Sequence, residues 1–445
     1  MAWVGEFVRG ASDLLTLVRS GTRVSGIVDT NPVPRRWNHI TKVDPEDEKP
    51  LPLLFPLYLQ HTSAISVGGS QDVTTQNTLE TLSLLEHATV PFFHEPSAPH
   101  HITDRTWREC RFTMIPEVLN GDSNALVGEL GAAIDNIRGT VAPELLDERF
   151  PWLPGRLKDG MADALTTWVL EQAVFEAYII QNLDSAAAEE ANVTETDRQD
   201  PTGAAQRALA AERHLDSEII YLEYSGRFGG EEAVDILEAI DDAVSWSRIW
   251  YGGGIETDED TMTVLEAGAD GVVVGNVFHE IALAESDLCS RAEAALDGEA
   301  ATSEIRDWVA DTIDITETNA TRYLGTIPNV TDPEIRAREY LTATVETWLS
   351  IVDLVDDLGD RETVRATLAS ENIETPGATH LHPVLGEASE AVAMAITLGV
   401  LDEGFDITSD TGTDLPAAHL GPINETAMAT ETDTDRTDIN PVTGE

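Results

Sequence analysis

The chain has 445 residues, 81 acidic against 27 basic side chains, and a formal net charge of −54. That balance excludes a nucleic-acid partner, since phosphate backbones need a basic face, and 42% hydrophobic residues exclude a disordered acidic chain. Acid spread over the whole length, with lysine only at Lys42, Lys49 and Lys158, is the composition of a protein soluble in molar salt, where screening acts within about 3 Å.

Residues 3–18, WVGEFVRGASDLLTLV, repeat apolar side chains at helical spacing. The spacing predicts an amphipathic helix docked on the main domain. Peripheral membrane contact is its second reading, weakened by few basic residues on the polar face. No apolar run reaches the roughly 18 residues of a membrane span, and there is no signal-peptide pattern. Cys110 and Cys289 are too few for a disulfide framework or a zinc site. A reducing cytoplasm is expected.

From residue 38, short apolar runs alternate with amphipathic stretches. The runs are NHITKVDP (38–45), AISVGGS (64–70), VPFFHEP (90–96), FTMIPEV (112–118), AYIIQNL (177–183), EIIYLEYSG (218–226), SRIWYGGGI (247–255) and GVVVGNV (271–277). Their middles are apolar at nearly every position, as strands buried on both faces are. Most end in Gly, Asp, Glu, Asn or Ser, and eight such runs predict an α/β fold, a modified (β/α)8 TIM barrel. Little room is left for a full helix after the third run. The long interval 119–176 predicts an extra helical insertion. Beyond about residue 290 the strand signals stop, and helices are expected over 303–360, with Asp332 as N-cap before Pro333, and over 386–401. The expected organisation is an N-terminal extension (1–33), a barrel (34–289), an additional mainly α-helical C-terminal region (290–415) and a disordered acidic tail (416–445).

Several stretches carry chemistry. YGGGI and VGN close the last two runs, where barrels bind phosphate through backbone N–H groups; a plain tight turn is the alternative. In YLEYSG, Tyr221, Glu223 and Ser225 share one face of a strand. A carboxylate inside an apolar strand is costly unless used or paired, so Glu223 is either a base toward a hydroxyl or an ion-pair partner. In HITKVDP, Lys42 and Asp44 share a face. Asp44 is a hard oxygen ligand suited to Mg2+, Ser70 could add a hydroxyl, and a diphosphate and waters would complete the shell. Lys42 would meet a phosphate oxygen, or else pair with Asp44. The histidines of HEP (94–96) and HH (100–101) read as loop residues, and HLHP (380–383) as a turn before a helix.

In this order, HITKVDP, SVGGSQDVT, YIIQNLDSA, IYLEYSG, YGGGI and GADGVVVGNV resemble the geranylgeranylglyceryl phosphate synthase family, which is related to bacterial heptaprenylglyceryl phosphate synthase. The resemblance spans about 35–285. It implies a barrel whose third helix is replaced by a non-helical segment, and Mg2+-dependent transfer of a prenyl group from geranylgeranyl diphosphate to the C3 hydroxyl of sn-glycerol 1-phosphate. It implies Asp44 and Ser70 at the metal, and Glu223 facing the glycerol hydroxyls. Lys42, Tyr221, Leu222, Glu223, Tyr224, Ser225, Gly226, Gly254, Gly275 and Asn276 would surround the glycerol phosphate. A cytoplasmic homo-oligomer is expected. Another phosphate-binding barrel enzyme, or a non-catalytic paralogue acting as an assembly module, are the alternatives.

Overall fold

A computed structural model of the chain describes residues 29–46, 49–69, 72–152, 154–296, 300–358, 361–368 and 375–402. The expected N-terminal helix over 3–18, Ser70 and the acidic tail over 416–445 lie outside the described residues, and 29–33 carry no helix.

The strands are β1 His39–Val43, β2 Ala64–Val67, β3 Phe92–His94, β4 Met114–Val118, β5 Val174–Ile180, β6 Ile219–Glu223, β7 Arg248–Gly252 and β8 Gly271–Val274. They form one all-parallel sheet in the order β3-β2-β1-β8-β7-β6-β5-β4. Only an isolated bridge from His94 to Thr113 links β3 to β4, so the barrel is nearly closed and has a seam there. All eight strands overlap the apolar runs. The fifth starts three residues earlier than expected, because Glu176 interrupts its apolar run yet lies within the strand.

The helices, in chain order, begin with α1 Phe55–Leu59, α2 Thr75–Leu85 and α3 Asp104–Glu109. After β3 there is only a 3-10 turn at Pro99–His101 and the six-residue α3, so the third crossover is reduced to a short helix. The insertion is helical, as expected. It comprises α4 Glu129–Asn136 and α5 Ala142–Arg149, joined through π-turns, and α6 Gly155–Leu170. Then follow α7 Ala186–Glu190, α8 Pro201–Ala210, α9 Gly230–Ala243, α10 Asp258–Glu266 and α11 Asn276–Ala295. The C-terminal region adds α12 Thr302–Thr312, α13 Asn319–Gly325, α14 Pro333–Leu358, α15 Arg361–Leu368, α16 Ala378–Leu385 and α17 Ser389–Asp402. Pro333 opens α14 as its fixed φ allows, but Asp332 has φ +57° and is no extended N-cap. HLHP lies inside α16 rather than in a turn.

Side chains alternate across each strand. The barrel interior is closed by Trp37, Phe93, Phe112 and Trp250, with Trp37 stacked on Phe93 at 6.1 Å. Outward-facing residues join one continuous core that includes α11, α13, α14 and α16. The C-terminal helices therefore build part of the barrel wall. The five residues of α1 are too few to cover β1, and α13 does so instead. Thr41 Oγ1 and Tyr323 OH are 2.7 Å apart. The His39 ring bridges Thr62 and Thr326, and burial pushes its pKa down to about 3. Glu285 on α11 accepts from Leu53 N at 2.8 Å and from Thr344 Oγ1 on α14 at 3.0 Å.

The stretch Ala378–Val400 has the length and apolar composition of a membrane span, which the sequence reading passed over. It is broken at Gly386, φ +56°, into α16 and α17, which pack on each other, α16 also on α1.

Candidate active site

At the carboxyl ends of the strands, β1 presents Lys42 and, just beyond it, Asp44. Lys42 donates to Glu95 Oε1 at 3.1 Å. Ser66, paired in register with Lys42 on the neighbouring strand, donates to the other Glu95 oxygen at 2.7 Å, and Tyr178 OH donates to Oε1. Glu95 is thus the hub of the mouth. Sequence reading missed it because HEP was read through its histidine. His94 is buried below, its pKa pushed down to about 3 by burial, and it joins no ligand cluster. The signal available was position: Glu95 follows directly on β3, as Asp44 follows β1.

Burial opposes the Lys42 charge, but Glu95, Asp44 and Glu223 together raise its pKa. On β6, Tyr221 and Glu223 face the interior as alternation requires, and Tyr221 stacks on Tyr178 with centroids 4.6 Å apart. Burial raises the Glu223 pKa, while the Ser225 N–H at 2.9 Å and Lys42 pull it back. Glu176 lies deeper on β5. Burial, then Glu95, push its pKa well above the ordinary value, and its Oε2 has no hydrogen-bond partner. One ammonium among three interior carboxylates favours a proton on the deepest of them.

The side chains of Leu222 and Tyr224 do not reach this mouth. Both point into the outer core, where Tyr224 stacks on Tyr251. Alternation along YLEYSG puts them there. Ser225 and Gly226 are exposed at the mouth, and Asn182 donates to the Ser225 carbonyl. The loop after β7 packs directly on the loop after β6. A Cβ on Gly252 would lie 1.8 Å from Tyr221 OH, and one on Gly254, φ +55°, would lie 2.2 Å from Phe228 N. Next to it, Gly275 precedes Asn276, the first residue of the twenty-residue α11. Helix start and glycine loops together form a backbone N–H cradle suited to an anion.

Asp44 does not pair with Lys42. Its Oδ2 accepts from Lys49 Nζ at 2.9 Å, and the same ammonium lies 3.1 Å from Glu46. The Asp44 N–H donates to His279 Nε2 at 3.1 Å while Nδ1 donates to the Pro50 carbonyl, so His279 is neutral, in keeping with its burial-lowered pKa. Gly69 fits against both carboxylates, since a Cβ there would lie 2.6 Å from Glu46 Oε1 and 3.3 Å from Asp44 Oδ1. This donor set fits Mg2+ in kind. Two hard carboxylates already converge on one cationic group, and Mg2+ takes one or two protein carboxylates plus substrate phosphates.

A cleft leads away from this polar mouth. It encloses about 1160 Å³ of empty space, its opening included. One end is formed by Lys42, Glu223 and Ser225; the other, along the β3–β4 seam, by Ile102, Leu130 and Ala133. The geometry is a charged head site continuous with a mainly apolar channel, whose lining also includes Glu129 and Glu190.

The sequence model of the PcrB family matches residues 33–293. Geranylgeranylglyceryl phosphate synthase of Haloquadratum walsbyi is 32% identical over 250 residues, 55% of this chain and 88% of that protein. Heptaprenylglyceryl phosphate synthase of Bacillus subtilis is 30% identical over 263 residues, 59% of this chain and 97% of that protein. Among solved structures, (S)-3-O-geranylgeranylglyceryl phosphate synthase from Thermoplasma acidophilum in complex with sn-glycerol-1-phosphate aligns with a TM-score of 0.40 at 19% identity, covering 54% of this chain and 86% of that one.

Proposed function

The chain belongs to the PcrB family, and from that premise we propose that it is a prenyltransferase joining the C3 hydroxyl of sn-glycerol 1-phosphate to geranylgeranyl diphosphate. The observation that carries the reading is the cleft: an apolar channel opening beside Lys42 and Glu223 suits an isoprenoid tail, and an enzyme acting on polar sugar phosphates has no use for one. The names of the Haloquadratum and Bacillus relatives support the same class of reaction.

In this reading the glycerol phosphate head lies in the N–H cradle of Gly254, Gly275 and Asn276, with Lys42 against a phosphate oxygen. Glu223 accepts the proton of the C3 hydroxyl as that oxygen bonds to C1 of the allylic donor and the C1–diphosphate bond breaks. Tyr178 and Tyr221, whose hydroxyls burial keeps protonated, flank the reacting carbon as neutral rings. A bound Mg2+ would neutralise the leaving diphosphate, held by Asp44, Glu46 and Ser70. Placement of the two substrates supplies much of the acceleration.

The test is transfer of label from radioactive sn-glycerol 1-phosphate to prenyl donors of twenty and twenty-five carbons, in molar KCl with Mg2+. Product from the wild type and losses of roughly a hundredfold or more in Glu223→Ala and Asp44→Ala are the expected result. Folded wild type without product from either donor would overturn it.

A further inference from the structure

The hairpin formed by α5 and α6 carries a second apolar surface that is largely exposed. Val169 of α6 is buried against Ile137 and Val141, which accounts for its inward face. On another face Leu157, Met161 and Trp168 are 57%, 41% and 41% exposed. At 3.6 residues per turn, spacings of four and seven put these three within about 40° of one another. At the hairpin's turn Trp152 is 75% exposed and meets Phe150 edge to face at 6.3 Å. The other large exposed apolar residues on the described surface are Val127, Leu209, Leu215, Met262, Leu283 and Ile335; of these only Leu209 and Leu215 are near one another in sequence, and they are two residues against the hairpin's five.

Charge marks the same place. Residues 149–158, RFPWLPGRLK, hold three basic side chains and no acidic one, in a chain where acids outnumber bases 81 to 27; Asp147, Glu148 and Asp159 flank the stretch and Lys158 pairs with Asp147, which leaves Arg149 and Arg156 as its solvent-facing bases. Arg149 lies over the Trp168 ring at 5.9 Å, and Arg156 is exposed. Exposed aromatic and aliphatic side chains with arginines among them suit the boundary layer of a lipid surface, where rings sit at headgroup depth and guanidinium groups reach phosphates. A two-fold contact made by this face would gather Arg149 and Arg156 of both copies into one interface. An acidic protein surface would match the bases but leave Trp152, Leu157 and Met161 without apolar cover.

We propose that this hairpin docks the protein on an anionic lipid surface, with Trp152, Leu157 and Met161 entering the headgroup layer and Arg149 and Arg156 meeting lipid phosphates. The proposal does not depend on the reaction assigned to the barrel.

Flotation of the full chain with vesicles of phosphatidylglycerol and phosphatidylcholine in equal parts, and of phosphatidylcholine alone, tests it. The wild type is expected to float with the anionic vesicles. Trp152→Ser/Leu157→Ser is expected to retain roughly a tenth of that bound fraction, with an unchanged thermal midpoint because both residues are exposed. Arg149→Gln/Arg156→Gln should lose the preference for anionic vesicles, and Leu215→Ser, remote from the hairpin, should behave as wild type. No flotation of the wild type, or equal flotation of Trp152→Ser/Leu157→Ser, overturns the proposal. So does a double variant that changes only the sedimentation coefficient in solution, which would make the face a contact between copies.

Discussion

Lys42 and Glu95 form a 3.1 Å ion pair across the mouth, reaching from β1 over β2 to the residue that follows β3. Because Glu95 also accepts from Ser66 and Tyr178, one carboxylate holds a cation, a hydroxyl and a phenol in fixed positions. Glu95→Gln keeps the shape but weakens all three bonds. Steady-state transfer kinetics should show kcat lowered roughly tenfold to a hundredfold, the scale of misplacing a catalytic group by about an ångström, with the thermal midpoint little changed.

The same substitution should move the pH profile. Glu95 is among the groups that raise the Glu223 pKa. If Glu223 takes the hydroxyl proton, the wild-type rate rises with pH as Glu223 ionises, on an acid limb above the ordinary carboxylate range. Removing the Glu95 charge lowers the Glu223 pKa, so that limb should shift to lower pH in Glu95→Gln. A limb that stays in place would assign it to another group.

Lys49 neutralises Asp44 and Glu46 from 2.9 and 3.1 Å. Lys49→Met leaves two carboxylates without their cation, and divalent ions should bind there more tightly. Titration calorimetry with Mg2+ should give a several-fold lower dissociation constant than wild type. In Asp44→Asn the heat of binding should be lost.

Glu285 is buried with its pKa raised to about 7 by desolvation, partly offset by its bonds to Leu53, Thr344 and Tyr58. A carboxyl whose folded pKa exceeds the unfolded value contributes stability below pH 4.5 that is lost as pH rises toward 7. Glu285→Gln has no such dependence. Denaturation at several pH values should show the variant gaining on wild type between pH 4.5 and 7, by up to about 3 kcal/mol.

Tyr323 is fully buried between α13 and β1. Tyr323→Phe leaves Thr41 Oγ1 without its partner and should cost about 1–3 kcal/mol. Tyr323→Ala also opens a cavity and should cost about 3–5 kcal/mol. A chain ending before α12 should fail to unfold cooperatively, as followed by denaturant titration.

Much of the barrel was legible because buried parallel strands impose a local composition. GVVV and AISV are apolar at nearly every position, and strand-end chemistry follows each of them. Period-two alternation also placed Tyr221 and Glu223 together inside, and the same rule, carried one residue further, turns Leu222 and Tyr224 away from the mouth. What local pattern could not supply was pairing across distance. Lys42 and Asp44 look like partners in HITKVDP, yet each finds another: Glu95 just after β3, and Lys49 from a turn whose geometry no periodicity predicts. The packing of α13 on β1 rests on pairs such as Thr41 with Tyr323, 282 residues apart, and nothing in either stretch announces the other.

That separation has a consequence for biogenesis. At about 5–20 residues per second, a ribosome that has just made Thr41 needs roughly 15–60 s to reach Tyr323. Through that interval the outer side of the first strand is without its cover, and its apolar neighbours are open to chaperones and to other nascent chains. A chain cut short before α13 would keep that side of the strand bare, so the cover of β1 depends on the last third of the sequence.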